Sequence, residues 1–405
     1  VIYLYNILTW LYYFSIRWIA LSGNHRAQNY IESSTKYSYT HLKLLKKSSK
    51  RAWLHAASAG ELLQLLPLTG KLEADGLELI LSVYSPSALS LAESTGYTYF
   101  LLPIDTKINA IGLIQKIQPD IFLTACKEFW PNISNQLKTN NIPYILINAH
   151  IVTPTPLLKI CWWKLYAPYI SLACCTDQFS SDFLLNRGVA NVLTTGNTKA
   201  ESVFINALHP HLEIQNYIKG KKVLILGSSH NKELLYMAKF LKENLVNYND
   251  WIWLIVPHHP NIEDRLYFEK KSGINACDFE EPLQDRSPVI FINRTGILAP
   301  LYALSEIAFI GGGWINGLHN VLEPARYHNT IIFGPDYNKF PEAAGLIHAN
   351  AAISVSDYKT FRITLKHLLD SNSLREILAS NATAYLTSQA GATEKCYSEI
   401  KVLLD

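Results

Sequence analysis

From Ala52 to Phe333, short apolar runs alternate with stretches of helix length. The runs are Ala52 to Ser58, Leu77 to Val83, Tyr97 to Ile104, Pro119 to Thr124, Ile142 to Asn148, Ser171 to Cys175 and Val192 to Thr195. After a polar connection from Lys199 to Lys222 they resume as Lys222 to Leu226, Trp251 to Val256, Val289 to Ile292, Ala308 to Ile310 and Thr330 to Gly334. Runs that are apolar along their whole length suit strands buried on both faces, and their alternation with helices implies a parallel sheet covered on each side. The polar connection divides the pattern into two similar halves. With 405 residues there is enough chain for two full cores. The expected fold class is therefore α/β, with two Rossmann-like domains facing a cleft. The expected boundaries are a separate segment at 1–22, domains at 45–200 and 221–390, and a C-terminal helix at 391–405. Gly296 to Leu304 reads as a helix, and helices alone are expected towards the C-terminus.

One stretch within this pattern carries chemistry. Ala308 to Ile310 ends in Gly311, Gly312 and Gly313, and the segment Leu318-His319-Asn320-Val321-Leu322-Glu323-Pro324 follows. Glycines at a strand end let the backbone turn sharply and approach a ligand. Asn320 suits a helix N-cap, and Pro324 falls where a first-turn N–H lacks a partner. Strand, glycine turn and helix form a nucleotide-binding layout. Asn320 and Glu323 also have capping-box spacing, so the same residues could simply hold a helix end. Glu61 divides similarly: it is a carboxylate at a helix start after Ala59-Gly60, which suits either a site residue or ordinary first-turn acidic preference.

Charge and cysteine content narrow the possibilities. A formal net charge of +3 excludes nucleic acid as the main partner. Cys126, Cys161, Cys174, Cys175, Cys277 and Cys396 form no C-x-x-C pair, and no Asp-x-Asp motif is present, so no metal site is expected. Val1 to Leu21 is apolar and aromatic, interrupted by Asn6 and Arg17, and has about the length of a membrane span. Lys43, Lys46, Lys47, Lys50 and Arg51 follow it, which suits either a solvated helix face or contact with an anionic membrane surface on the cytoplasmic side. The segment reads as a membrane-anchor helix, either spanning or lying in the interface.

An ordered set of short motifs resembles the Kdo transferases, the 3-deoxy-D-manno-octulosonic acid transferases of lipopolysaccharide synthesis. They are His55-Ala56-Ala57-Ser58-Ala59-Gly60-Glu61, Leu102-Pro103-Ile104-Asp105, Glu128-Phe129-Trp130-Pro131-Asn132, Gly196-Asn197-Thr198-Lys199, Gly227-Ser228-Ser229-His230, Pro257-His258-His259-Pro260 and His319-Asn320-Val321-Leu322-Glu323-Pro324. The resemblance covers nearly the whole chain. It implies the GT-B glycosyltransferase architecture and a bacterial inner-membrane enzyme on the cytoplasmic face. It also implies transfer of Kdo from CMP-Kdo to a lipid A precursor, with inversion and with neither cofactor nor metal. Glu61 matches the family's catalytic base, and His319, Asn320 and Glu323 match the residues that hold CMP. Two departures stand out. Ala88 to Gly96, just after Ser85-Pro86-Ser87, holds no arginine, and His258 occupies a position where a basic residue is usual.

Other residues take expected roles beside these. Backbone N–H groups near Ser228 and Ser229 suit a departing phosphate, as do Gly312 and Gly313. His258 and His259 are either strand-end histidines or neighbours of the nucleotide. Ser58, Gly60, Glu128 and Lys199 are expected contacts to acceptor or donor sugar; Glu128 could equally be a first-turn carboxylate and Lys199 a solvated linker lysine. Two alternatives stay open: another GT-B glycosyltransferase using a different nucleotide sugar, and a membrane-tethered, non-catalytic sugar-nucleotide-binding homologue.

Overall fold

The computed structural model describes residues 2–404 apart from 43–46, 48, 127, 152–162, 205–211, 219, 280–286, 295 and 316. The chain forms two compact units, Val1–Ser202 with Gln389–Asp405, and Val203–Ser388.

In the first unit, β1 (Arg51–Ala56), β2 (Glu78–Val83), β3 (Thr98–Leu101), β4 (Ile121–Ala125), β5 (Tyr144–Ala149), β6 (Leu172–Cys175) and β7 (Val192–Thr194) make one sheet. Their order is β3-β2-β1-β4-β5-β6-β7, with parallel pairing throughout. The central strands β1, β4, β5 and β6 are buried at every position, as continuous apolar runs require. Trp53, Phe122 and Tyr144 pack on one face. Leu54, Leu123 and Ile145 pack on the other, against Leu62, Leu65 and Leu68 of helix α3 (Ala59–Ala74). Burying each such aliphatic side chain stabilises the fold by about 1.5–3 kcal/mol. The C-terminal helix Ala392–Leu404, expected to stand apart, inserts Cys396 and Ile400 into this same core.

In the second unit, β8 (Lys222–Ser229), β9 (Trp251–Pro257), β10 (Cys277–Asp278), β11 (Val289–Phe291), β12 (Ile307–Ile310), β13 (Thr330–Phe333) and β14 (Ala352–Ser354) form a second parallel sheet. Its order is β10-β11-β9-β8-β12-β13-β14. Trp251, Trp253, Phe240, Phe291, Phe309 and Phe361 fill one face. Two edge strands were not expected: β10 spans two residues and β14 three, too short to show a period. The helix expected over Gly296 to Leu304 is a single turn, Leu298–Leu301, continued by a tighter 3₁₀ turn at Tyr302–Leu304. The order of each sheet reverses between β1 and β4, and between β8 and β12. Open parallel sheets bind ligands beyond the strand C-termini at such switch points.

The N-terminal segment forms helix α1 (Ile2–Leu21), followed by α2 (His25–Lys36). Among the described residues no helix is long and apolar enough to cross a membrane. Asn6, Thr9 and the tyrosines dilute its apolarity, and one side of α1 is fastened to the first unit. Tyr5 Oη donates to Asp105 Oδ2 at 3.0 Å, and Asn132 Nδ2 donates to Asn6 Oδ1 at 2.8 Å. The other side exposes Tyr3, Leu4, Ile7, Leu8, Leu11, Phe14 and Trp18 at helical spacing. Asp105 also accepts the backbone N–H groups of Asn132 and Ile133, yet burial outweighs these bonds and pushes its carboxyl up to about 6.

The basic run is largely structural. Arg51 opens β1 and is only 2% exposed; its Nε lies 2.5 Å from Glu78 Oε2. Lys47 pairs with Asp120 at 2.8 Å, and Lys50 donates to the Leu404 carbonyl. These three are tied to the first unit instead of forming a free headgroup-binding patch, whereas Lys43 and Lys46 lie outside the described residues.

Candidate active site

The first unit places Glu61 just beyond the C-terminal end of β1. Ser58 caps α3 in an extended conformation, and the two residues form a reciprocal capping box. Ser58 N–H donates to Glu61 Oε2 at 3.0 Å, and Glu61 N–H donates to Ser58 Oγ at 3.4 Å. The helix therefore starts two residues before Glu61, and Gly60 lies in its first turn, not in the expected strand–helix turn. A Cβ built on Gly60 meets nothing within 4 Å. We expect Gly60→Ala to leave melting unchanged or raise stability by up to about 1 kcal/mol, since alanine is the better helix former. Turnover should fall, because the methyl intrudes on the space beside Glu61. Thermal melts and a transfer assay on the same preparation check both halves.

Behind this turn, His55 is fully buried in β1. Trp53 Nε1 donates to Ser82 Oγ at 2.8 Å, which leaves the serine hydrogen for His55 Nδ1 at 2.9 Å. The imidazole proton then belongs on Nε2, which has no polar partner, and the ring makes a T-shaped contact with Trp130. Burial pushes the His55 imidazole down to about 3. The folded chain thus binds fewer protons than the unfolded chain between about pH 6.5 and 3, and stability falls as pH drops through that window. The expected slope from this residue approaches about 1.4 kcal/mol per pH unit. Urea midpoints at pH 7.5 and 5 should diverge less in His55→Asn than in the wild type.

Glu128 is not a first-turn residue. The next helix is Pro131–Thr139 with Trp130 at its N-cap, and the Glu128 carbonyl accepts from the Tyr144 hydroxyl. Lys199 begins a single turn, Lys199–Ser202, and its N–H donates to Asn197 Oδ1 at 2.9 Å. Asn148, left-handed at the end of β5 with φ 54°, holds this segment. Its Nδ2 donates to Asn197 Oδ1 at 2.9 Å, and its Oδ1 accepts the Thr198 N–H at 3.0 Å.

In the second unit, the glycine loop leaves β12 against the end of β8. Gly311 N–H donates to the Gly227 carbonyl at 2.8 Å. A Cβ on Gly311 would lie 2.0 Å from the Ser228 carbonyl oxygen, and one on Gly313 would lie 2.5 Å from the Gly334 nitrogen, so these glycines permit backbone-to-backbone contact. The end of β8 is irregular: its register with β9 shifts between Gly227 and Ser229, and Ser228 has φ 51°. Such bulges re-aim chain ends beside sites. The Ser229 hydroxyl is buried without a hydrogen-bond partner.

Glu233, which the sequence reading missed, sits in the first turn of helix Asn231–Asn244 and is 1% exposed. Its Oε1 accepts the Gly312 N–H at 2.8 Å, while burial raises its carboxyl above the usual range. Asn320 is not the helix cap expected: Val321 holds that place, before a helix of only five residues, Leu322–Arg326. Asn320 Oδ1 accepts the Leu322 N–H at 3.1 Å, and its Nδ2 donates to Glu323 Oε1 at 2.9 Å. The two side chains thus bond directly to one another, a different arrangement from the capping box that their spacing suggested.

Histidines gather at this end of the sheet. His230 follows β8, His258 follows β9 and His319 follows the glycine loop. His319 Nε2 lies 3.3 Å from His230 Nε2, and its ring centroid lies 4.3 Å from that of His258. Burial and then the neighbouring histidines push the His319 imidazole down to about 4, and lower His230 and His258 for the same reasons. His259 lies beside His258, with ring centroids 4.3 Å apart.

Two units, each a parallel sheet covered by helices with candidate side chains at the strand C-termini, define the fold class as two-domain α/β. The fold is similar to that of UDP-GlcNAc 2-epimerase from Neisseria meningitidis, with a TM-score of 0.64, 15% identity, and coverage of 87% of this chain and 99% of that one. It is also similar to a glycosyltransferase from Rickettsia africae, with a TM-score of 0.59, 13% identity, and coverage of 88% and 99%. Residues 32–202 match the family model for 3-deoxy-D-manno-octulosonic-acid transferase (kdotransferase). Relatives extend the likeness along the chain. The 3-deoxy-D-manno-octulosonic acid transferase of Haemophilus influenzae is 26% identical over 87% of both chains. That of Rickettsia typhi is 28% identical over 89% of this chain and 81% of its own.

Proposed function

We propose that this chain transfers Kdo from CMP-Kdo to a lipid A precursor, lipid IVA, by an inverting displacement. The observation that carries the reading is Glu61, held in its capping box beyond β1 within the matched region. In the proposed step the acceptor hydroxyl oxygen attacks the anomeric carbon of Kdo, and its proton passes to Glu61. The bond from that carbon to the CMP phosphate oxygen breaks, and CMP leaves with the electron pair. A phosphate leaving group needs no general acid, so one carboxylate suffices, and no step as written passes through a metal or a cofactor. This differs from glycosidases, which use a pair of carboxyl groups. His319, Asn320 and Glu323 take the CMP, supported by Ser228, Ser229, His258, His259, Gly312 and Gly313. Ser58, Gly60, Glu128 and Lys199 serve the acceptor or the donor sugar. The test is incubation with CMP-Kdo and lipid IVA, following CMP release and the mass of the lipid; no release with either lipid IVA or its acylated analogues sinks the reading.

The proposed setting is the cytoplasmic face of a bacterial inner membrane, with α1 lying in the interface. Its exposed aliphatic and aromatic stripe supports this, because such a face lowers its free energy by entering the acyl boundary. Leu11→Ser, Phe14→Ser and Trp18→Ser combined should release the protein from anionic vesicles in flotation, with CMP affinity unchanged. Undiminished flotation would remove α1 as the contact.

A further inference from the structure

We infer that His230, His258 and His319 form a binding site for a divalent transition-metal ion of the zinc class. The three stand at the C-terminal ends of adjacent strands, since β9 pairs with β8 and β8 with β12. One ring nitrogen from each falls within 4.8 Å of the other two. An ion bound tetrahedrally at about 2.0–2.1 Å from each nitrogen requires ligand atoms about 3.3–3.4 Å apart. The His230 Nε2 to His319 Nε2 separation of 3.3 Å already matches one edge of that tetrahedron. The remaining edges close by rotation of the half-buried His258 ring, whose centroid lies 5.0 Å from that of His230 and 4.3 Å from that of His319.

The donor chemistry is specific. Imidazole suits zinc, copper, nickel and iron, whereas magnesium and calcium prefer oxygen. Each neutral imidazole binds through one nitrogen and keeps its proton on the other, so no charge has to be displaced before the ion enters. Three protein ligands leave a fourth position open, the arrangement of zinc sites that take up an exchangeable ligand. In the reading given under Proposed function, His258 and His319 also serve the nucleotide, and a phosphate oxygen is the exchangeable ligand that reading would supply. This last role rests on that reading; the ion site itself does not.

The experiment uses untagged full-length protein, stripped with a chelator and titrated with zinc chloride by calorimetry, and separately with cobalt chloride followed by visible absorption. No nucleotide is present, so the outcome is independent of which donor the enzyme uses. The expected result is one ion per chain and the visible bands of tetrahedral cobalt. His258→Gln and His230→Gln should each weaken binding at least about tenfold, the loss that even outer partners of a metal ligand produce. His259→Gln, outside the trio, should bind as the wild type does. Equal affinity in the wild type and in both His258→Gln and His230→Gln, or cobalt spectra of octahedral form, would overturn the site. Circular dichroism on each variant confirms that a weakened titration is not lost folding.

Discussion

Glu61→Gln is expected to reduce single-turnover transfer by about 10²–10⁴-fold, the range that general-base catalysis typically contributes. The substitution is informative because it separates the observed capping role of this side chain from its proposed role as base. Its Oε2 accepts the Ser58 N–H in the capping box, and glutamine is the other residue that completes this motif. The helix start should therefore survive, losing only the attraction between a carboxylate and the helix dipole, about 0.3–1 kcal/mol. An amide at the same place cannot take the acceptor's proton. CMP affinity should stay near the wild-type value, because the proposed nucleotide residues belong to the second unit. Three measurements distinguish the outcomes: melting temperature, CMP affinity by calorimetry, and transfer to lipid IVA. Near-normal transfer would falsify the base assignment and leave Glu61 as a helix cap. A large fall in melting temperature would show that the capping role dominates.

The parts of the fold legible in the sequence were those written as continuous apolar runs. β1, β4, β5 and β9 are buried at every position, so each reads as a strand without any tertiary information. β10 and β14 escaped because two or three residues at a sheet edge carry no pattern. Gly60 was misread because glycine after a strand usually signals a turn, whereas the Ser58 cap lets the helix absorb it. Arg51 was grouped with neighbouring lysines by composition, but it is the first residue of a strand buried at every position and pairs with Glu78. At the site, local motifs pointed to Glu61 and to the glycine loop. Glu233 was not legible, and although His258 and His319 were named as nucleotide residues, their meeting with His230 was not, because it depends on strands that meet only in the folded sheet. His230, His258 and His319 come from three separate loops with no metal-binding spacing between them, so only the strand order β9-β8-β12 brings them together.

Gly312→Ala should have the opposite outcome to Gly60→Ala, although the chemical change is the same methyl group. Gly312 has φ +86°, and a Cβ there would lie 2.2 Å from the Gly317 carbonyl oxygen and 3.2 Å from His319 Cδ2. The first of these contacts is with backbone, so a side-chain rotation cannot relieve it. Left-handed backbone costs alanine about 1–2 kcal/mol, and forcing apart a packed contact adds about 1–3 kcal/mol. We therefore expect the second unit to lose about 2–5 kcal/mol of stability on these two costs together. The loop must also shift where Gly312 N–H meets Glu233 Oε1 at 2.8 Å, which takes one of its donors from a buried carboxylate. Because His319 rides on the same loop, CMP affinity should drop at least about tenfold, which corresponds to about 1.4 kcal/mol. Denaturant melts of the variant and calorimetry with CMP read the two effects independently. A variant that melts like the wild type and binds CMP normally would mean that the loop accommodates a side chain at Gly312, and that the approach of Gly312 to the Gly317 carbonyl is not required.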